Sequence, residues 1–297
     1  MLIQLTNSKY NFKKRCRLER PVQSGAEVSQ KVSLSNCMLL SLLIIFSTLS
    51  FAQQNNELEP LITDRPDATE SPYTVPKRFL QVETGAFYES FEENNIKTED
   101  FTYNTTLVRY GLLNNLELRL GWNFAEGKTK FSGNTLNNTL NGFYPLLIGI
   151  KTTIAKENGS FPEIGLLLHT SHPFFASQDY KTKSTGVDFR FAFAHTLSEE
   201  SSLSYNLGMA WEGNITSANY VYTIAYGYSL SNRLGAYAEL YGNIIEADKA
   251  EHLWDAGLTY LINNNVQLDT TVGSSITAGQ DILLSAGVSF RIPSNQN

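Results

Sequence analysis

The sequence is poor in cysteine. Only Cys16 and Cys37 occur among its 297 residues, and both precede the point where a leader is expected to be cut. The mature chain is therefore expected to have no disulfide framework and no cysteine metal site. Long apolar runs are equally scarce. One spans Met38 to Phe51, the length of a signal-peptide hydrophobic region and short of the roughly 20 residues a spanning helix needs. A bundle of membrane helices is thereby excluded. Basic residues are in deficit, 23 Lys and Arg against 29 Asp and Glu for a net charge of -6, and without a basic stripe a nucleic-acid partner is not expected.

Ser50 and Ala52 give the apolar run a small-x-small end, which places a cut between Ala52 and Gln53. Residues 1–52 are expected to be a signal peptide with an N-terminal extension, since the nearest upstream cation, Lys31, lies far into a long leader. Cys37 precedes the apolar run, whereas a lipidated cysteine follows one, so no lipid anchor is expected.

What the sequence does contain is alternation. From Phe79 onward about twelve stretches switch between apolar and polar at every residue. In the last, Leu284, Ala286, Val288, Phe290 and Ile292 oppose Ser285, Gly287, Ser289 and Arg291; in the third, Leu116, Leu118, Leu120, Trp122 and Phe124 oppose Glu117, Arg119, Gly121 and Asn123. A soluble sandwich also alternates, so the polar face and the connections must discriminate. The polar face carries both signs of charge: Glu83, Arg109, Glu117, Arg119, Lys151, Glu163, Asp188, Arg190, Glu239, Asp255, Asp269 and Arg291. Mixed signs suit a narrow lumen in which opposite charges neighbour one another, and these twelve are the candidate pore-lining residues.

Short connections at 113–115, 156–159, 198–201, 231–232 and 263–265 alternate with long ones near 92–99, 127–141, 171–183, 213–219, 246–252 and 274–281. Consecutive hairpins send alternate connections to opposite ends, so the short turns share one rim and the long loops the other, as in outer-membrane barrels with periplasmic short turns. Trp122, Trp211 and Trp254 fall beside long loops, and Tyr110, Tyr228 and Tyr260 just before short turns. They are candidates for two interfacial girdles. The expected fold is all-β, a transmembrane antiparallel up-and-down barrel of about twelve strands over residues 79–292, with a periplasmic pre-barrel segment at 53–78 and a tail at 293–297.

The pre-barrel segment carries Leu61-Ile62-Thr63-Asp64-Arg65-Pro66-Asp67-Ala68-Thr69-Glu70-Ser71-Pro72 and then Tyr73-Thr74-Val75-Pro76. Its prolines disfavour helix. Leading into Phe79-Leu80-Gln81-Val82-Glu83-Thr84-Gly85, this stretch resembles the Gram-negative family of meta-pathway phenol degradation (MetA-pathway), or transporter-like, outer-membrane proteins. The resemblance runs from about Leu61 to Ile292, specific in the opening motif and carried by pattern in the barrel. It implies an outer-membrane barrel and a route for aromatic or other small hydrophobic compounds, and it supplies no catalytic residues. The charged cluster Asp64, Arg65, Asp67 and Glu70 has two readings: a solvated tether at the periplasmic mouth, or a segment folded into the lumen with Arg65 pairing an inward carboxylate such as Glu83 or Glu117.

Enzymatic and metal chemistry find little support. His169 and Ser171 share a strand face with Asp188 on the next strand, but no nucleophile elbow or oxyanion motif accompanies them. His169, His172, His195 and His252 form no set with carboxylates at ligand spacing, and the loop Asp and Asn residues lack calcium-loop spacing, so no cofactor or metal is expected. Lys128, Lys130, Lys181 and Lys183 lie in long loops, as solvated charges or as contacts to lipopolysaccharide phosphates. Phe290 is followed by Arg291, Ile292 and a polar tail where such barrels often end on an aromatic, leaving open which signal the barrel assembly machinery reads. The reading is a non-enzymatic outer-membrane channel for small solutes, surrounded by outer-membrane lipid and lipopolysaccharide. The competing reading is a structural or adhesive barrel with a sealed lumen.

Overall fold

A computed structural model describes residues 58–93, 95–136, 139–214, 217–245, 249–277 and 279–293. The proposed leader, its cut site and both cysteines lie outside the described residues. Among the described residues fourteen strands run in chain order: β1 (Phe79–Glu93), β2 (Ile96–Leu113), β3 (Leu116–Phe131), β4 (Asn134–Thr135), β5 (Leu140–Phe143), β6 (Leu146–Ala155), β7 (Glu163–His172), β8 (Gly186–Thr196), β9 (Ser201–Trp211), β10 (Asn219–Ser229), β11 (Leu234–Ile245), β12 (Glu251–Asn263), β13 (Val266–Ser275) and β14 (Gln280–Pro293). The short β4 and β5 pair with the far end of β3. The other twelve form the wall, each antiparallel to its neighbours, and β14 closes on β1 from Phe79↔Pro293 to Phe91↔Gln280. Closure leaves no edge whose backbone groups would face lipid unpaired.

The period-2 pattern sets what faces where. Along β3, Glu117, Arg119, Gly121 and Ala125 are buried while Leu118 and Leu120 are exposed, and along β14 Ser285, Ser289 and Arg291 are buried while Leu284 is exposed. The buried set is mostly polar and the exposed set rich in Leu, Ile, Phe and Tyr. This inside-out distribution belongs to a transmembrane barrel whose outer face meets hydrocarbon.

All the short connections lie at one rim. At the other, the expected long loops between Glu92 and Glu99 and between Gly127 and Asn141 are partly strand. The β1–β2 ladder continues to Glu93↔Ile96 and the β2–β3 ladder to Ile96↔Phe131. Polar residues mark a loop only where a strand must bury one face. Here the ribbon rises past the apolar band, held by a Lys130–Glu99 bridge of 2.7 Å and the Tyr88–Phe101 ring contact at 4.7 Å.

Candidate functional site: the occupied lumen

The segment before β1 enters the barrel at the short-turn rim. Leu61 N–H donates to the Asn264 carbonyl at 2.9 Å, Asn264 Nδ2 to the Leu58 carbonyl at 2.8 Å, and Arg291 Nη2 to the Glu59 carbonyl at 2.7 Å. The segment then crosses the lumen and returns as a hairpin, tied across its own mouth where Ser71 N–H and Oγ–H donate to Asp64 Oδ1 at 3.0 and 2.8 Å. On the far side Ala68 N–H donates to Glu239 at 2.7 Å, the Thr69 hydroxyl bonds both Glu239 and Thr223, and Glu70 exchanges two backbone bonds with the Asn206 amide at 2.7 and 2.8 Å. On the return, Thr153 Oγ donates to the Pro72 carbonyl at 2.9 Å, Arg109 Nη2 to that of Tyr73 at 3.0 Å, and Val75 N–H donates to Glu117 at 2.8 Å. A segment without secondary structure thereby satisfies its backbone on wall side chains.

Charge explains the seating. Asp64 lies 2.7 Å from Arg119 Nη1, 2.6 Å from Lys151 Nζ and 3.0 Å from Arg109 Nη1. Glu70 meets Arg119 Nη2 at 2.8 Å, and Glu83 and Glu117 meet Arg109 at 2.8 and 2.9 Å. Burial pushes the Asp64 carboxyl up, but Arg109, Lys151 and Arg119 together hold it well below the usual range. Across the lumen, β11, β12 and β13 contribute Glu239, Asp255 and Asp269 and contain no Lys or Arg. Arg65 answers that wall: Nη2 is 2.9 Å from Asp269 Oδ1 and donates to Ser285 Oγ at 3.0 Å, Nη1 donates to Thr105 Oγ at 3.2 Å, and the guanidinium lies 5.0 Å from the centre of the Phe87 ring. Gly85 and Gly287, paired in register, leave the space it fills, since a Cβ on either would come within 2.5 Å of Arg65 Nη2. Asp67 sits on the same acidic side, where burial and the Glu239 charge raise its carboxyl well above the ordinary value.

All twelve sequence-selected charges are buried. Glu83, Arg109, Glu117, Arg119 and Lys151 converge around Asp64, whereas Glu163 bonds Lys156 at 2.9 Å near the short-turn rim and Arg190 binds Asp188 at 2.6 Å. Asp255 stands opposite Glu239 in register, and Arg291 holds the incoming segment. The pairing expected of Arg65 is corrected: its carboxylate is Asp269, because Glu83 and Glu117 are already held by Arg109. The tether reading also fails for the described part of the segment, which lies inside the barrel and not at its mouth. Asn206, Thr105, Thr223, Ser285 and the glycine pair complete the seat. Their polar-face positions were visible in the alternation, but nothing local marks them as contacts of a distant segment. Trp122, Trp211, Trp254, Tyr110, Tyr228 and Tyr260 alternate with inward residues and so lie on the outer surface.

Above the hairpin, towards the long loops, is a cavity of about 110 Å³ bordered by the apolar Phe87, Leu107, Tyr144 and Leu147 and by the polar or charged Glu83, Arg119, His169, Asp188 and Arg190, with the hairpin's own charges on its floor. Below it, a recess of about 380 Å³ opens among the short turns. Arg65, Pro66 and Asp67 line both, and so form a partition between them. In the His169 group, Nδ1 lies 3.9 Å from Asp188, whose carboxylate is engaged by Arg190, and Nε2 has no hydrogen-bond partner, so Ser171 is not held as an activated hydroxyl. His252 and Tyr222 are 2.6 Å apart, and His172 and Thr170 3.1 Å, in separate parts of the wall.

The model of the family described as "Putative MetA-pathway of phenol degradation" matches residues 63–292, which takes in both the hairpin and the wall. Among solved structures, an outer-membrane channel from Pseudomonas putida F1 is similar to this chain with a TM-score of 0.56 at 11% identity, over 77% of this chain and 100% of that one. The Ralstonia pickettii toluene transporter TbuX is similar with a TM-score of 0.44 at 8% identity, over 76% of this chain and 91% of that one. A comparison with curated proteins finds no match.

Proposed function

The chain belongs to the putative MetA-pathway of phenol degradation family, and from that premise we propose that it is a passive, non-enzymatic channel of the Gram-negative outer membrane for small solutes, aromatic and other hydrophobic compounds among them. In this reading the long loops face outward and the short turns the periplasm, the outer Trp and Tyr residues sit at headgroup depth, and the twelve inward charges line the route. The observation that carries it is the partition: a cavity and a recess on opposite sides of the hairpin share only a short stretch, Arg65 to Asp67, of a segment held by side-chain contacts. Such contacts can be exchanged without breaking the wall ladder. The apolar Phe87, Leu107, Tyr144 and Leu147 beside the cavity supply the physical support.

The density of buried ion pairs supports a second reading, a sealed structural barrel, because removing the hairpin would leave several charges unpaired. Planar-bilayer recording of the full chain and of a variant lacking residues 64–72 separates the two. The channel reading expects rare, small steps that become frequent and larger after the deletion. Silence from both, with the deletion variant still folded, would leave the sealed barrel.

A further inference from the structure

Lys151 on β6 is wholly buried, and among the described residues its hydrogen bonds and ion pairs all go to the hairpin. Nζ donates to Asp64 Oδ2 at 2.6 Å and to Oδ1 at 2.8 Å, and it stands 3.5 Å from Ser71 Oγ and 3.7 Å from Glu70 Oε2. Its register neighbour on β3, Glu117, spends both oxygens on Arg109, Arg119 and the Val75 N–H. Arg119 leans on the hairpin in the same way. Nη1 reaches Asp64 at 2.7 Å and Nη2 reaches Glu70 at 2.8 Å, Glu117 is its one wall carboxylate, and the buried Nε–H has no acceptor.

The wall alone is therefore an incomplete ion cluster. Arg109, Arg119 and Lys151 face two wall carboxylates, Glu83 and Glu117, and the hairpin brings Asp64 and Glu70. A buried cation stripped of its anion is costly, so release of the hairpin is favoured when another anion takes its place. The two carboxylates it brings are neighbours, because the two terminal nitrogens of one guanidinium hold one each. A free solute reproduces that arrangement when it carries two carboxylates on the same side of a short skeleton. A neutral compound offers no charge, a monocarboxylate fills one place of the two, and an extended dicarboxylate cannot turn both groups to one guanidinium. Asp64, Glu70 and Arg119 all border the cavity above the hairpin, so a solute in that cavity meets the site directly.

We infer that Arg119 and Lys151 form a binding site for small dicarboxylates with neighbouring carboxyl groups, occupied in the closed barrel by the hairpin's own Asp64 and Glu70, and that a dicarboxylate taking their place releases the partition. Solute and hairpin exclude each other from the site, so the solute binds the released state and shifts the equilibrium toward it. The inference rests on the reading of the hairpin as a removable partition and adds the chemical class that removes it.

Maleate and fumarate test it, since they share charge and composition while only maleate holds both carboxylates on one side; maleamide keeps that shape without charge. In planar bilayers at fixed ionic strength, and at a pH where both acids are dianions, maleate should raise the open fraction of the full chain with a saturating dose dependence. Fumarate should need about tenfold more for the same effect, the loss of one charge-assisted contact, and maleamide should do nothing. Lys151→Met should lose the response to maleate. A readout without current is the heat-modifiable transition of the full-length double variant Asp64→Ala, Glu70→Ala, which empties both carboxylate places: maleate should raise it and fumarate should not. In a barrel that conducts, an open fraction indifferent to maleate, an equal response to fumarate, or a maleate response that survives Lys151→Met would each overturn the assignment, as would a double-variant transition that maleate leaves unmoved. The two readouts also separate this inference from the reading beneath it. A transition raised by maleate in a barrel that passes no current keeps the site and removes the channel; conductance steps with no difference between maleate and fumarate keep the channel and remove the site.

Discussion

Arg65 and Asp269, 204 positions apart in sequence, meet in the lumen with Nη2 2.9 Å from Oδ1 and Nε 3.4 Å from Oδ2. The pair fastens the partition to the acidic wall. Asp269→Asn leaves a buried guanidinium without its anion, a loss of about 3–5 kcal/mol where the remaining charge cannot reach water. Arg65 borders the open recess and can turn into it, so the cost should fall on the seating of the hairpin more than on the barrel. The expected outcome is a raised open fraction in single-channel records with an unchanged thermal transition.

Gly287→Ala should give a similar record by a different route. Its Cβ would fall 2.4 Å from Arg65 Nη2, so the guanidinium must leave its slot although every charge is retained. A wild-type conductance pattern in this variant would show that the slot is not needed for seating.

Asp64→Asn should be the most damaging single change in the hairpin, because Arg109, Arg119 and Lys151 lose a shared anion while still buried. A loss of at least about 3 kcal/mol is expected, read as a lower temperature for the heat-modifiable transition.

The two halves of the seat respond to pH with opposite signs. The Asp64 carboxyl is held below its ordinary value once seated, so its contribution is fully present above the ordinary carboxylate value, about 4, and is lost as pH falls through the lowered one. Acidification below about pH 4 should raise the open fraction, and Asp64→Asn should flatten that limb.

Asp67 is raised when seated. The released form therefore loses its proton first, and the seat weakens as pH climbs from the ordinary carboxylate range through the raised value. Asp67→Asn, which mimics the protonated carboxyl, should lower the open fraction near neutral pH and remove the alkaline limb. An open fraction that rises in this variant would reverse the sign assigned to Asp67.

The wall was far more legible in the sequence than its contents. Alternation has a fixed period, so Glu117 and Arg119 could be placed inward and Leu118 and Leu120 outward from spacing alone. Residues 61–76 have no period. Their prolines exclude a helix and then fall silent, and which carboxylate takes Arg65 depends on barrel closure, which brings β14 beside β1 and β13 next in the wall. The ribbon above Glu99 failed for another reason: outside the apolar band both strand faces are polar, and the alternation that identifies a strand disappears although its hydrogen bonds remain.

Arg65 also bonds Thr105 of β2 and Ser285 of β14, the strands on either side of β1. The first and last strands of the wall are thus tied from within by a residue covalently joined to the first. The complete set of partners exists only after the ring has closed, so a seated hairpin reports that the barrel is finished. Chains lacking residues 58–78 should close without this internal latch, and the β1–β14 seam is where they should begin to unzip under heat or detergent.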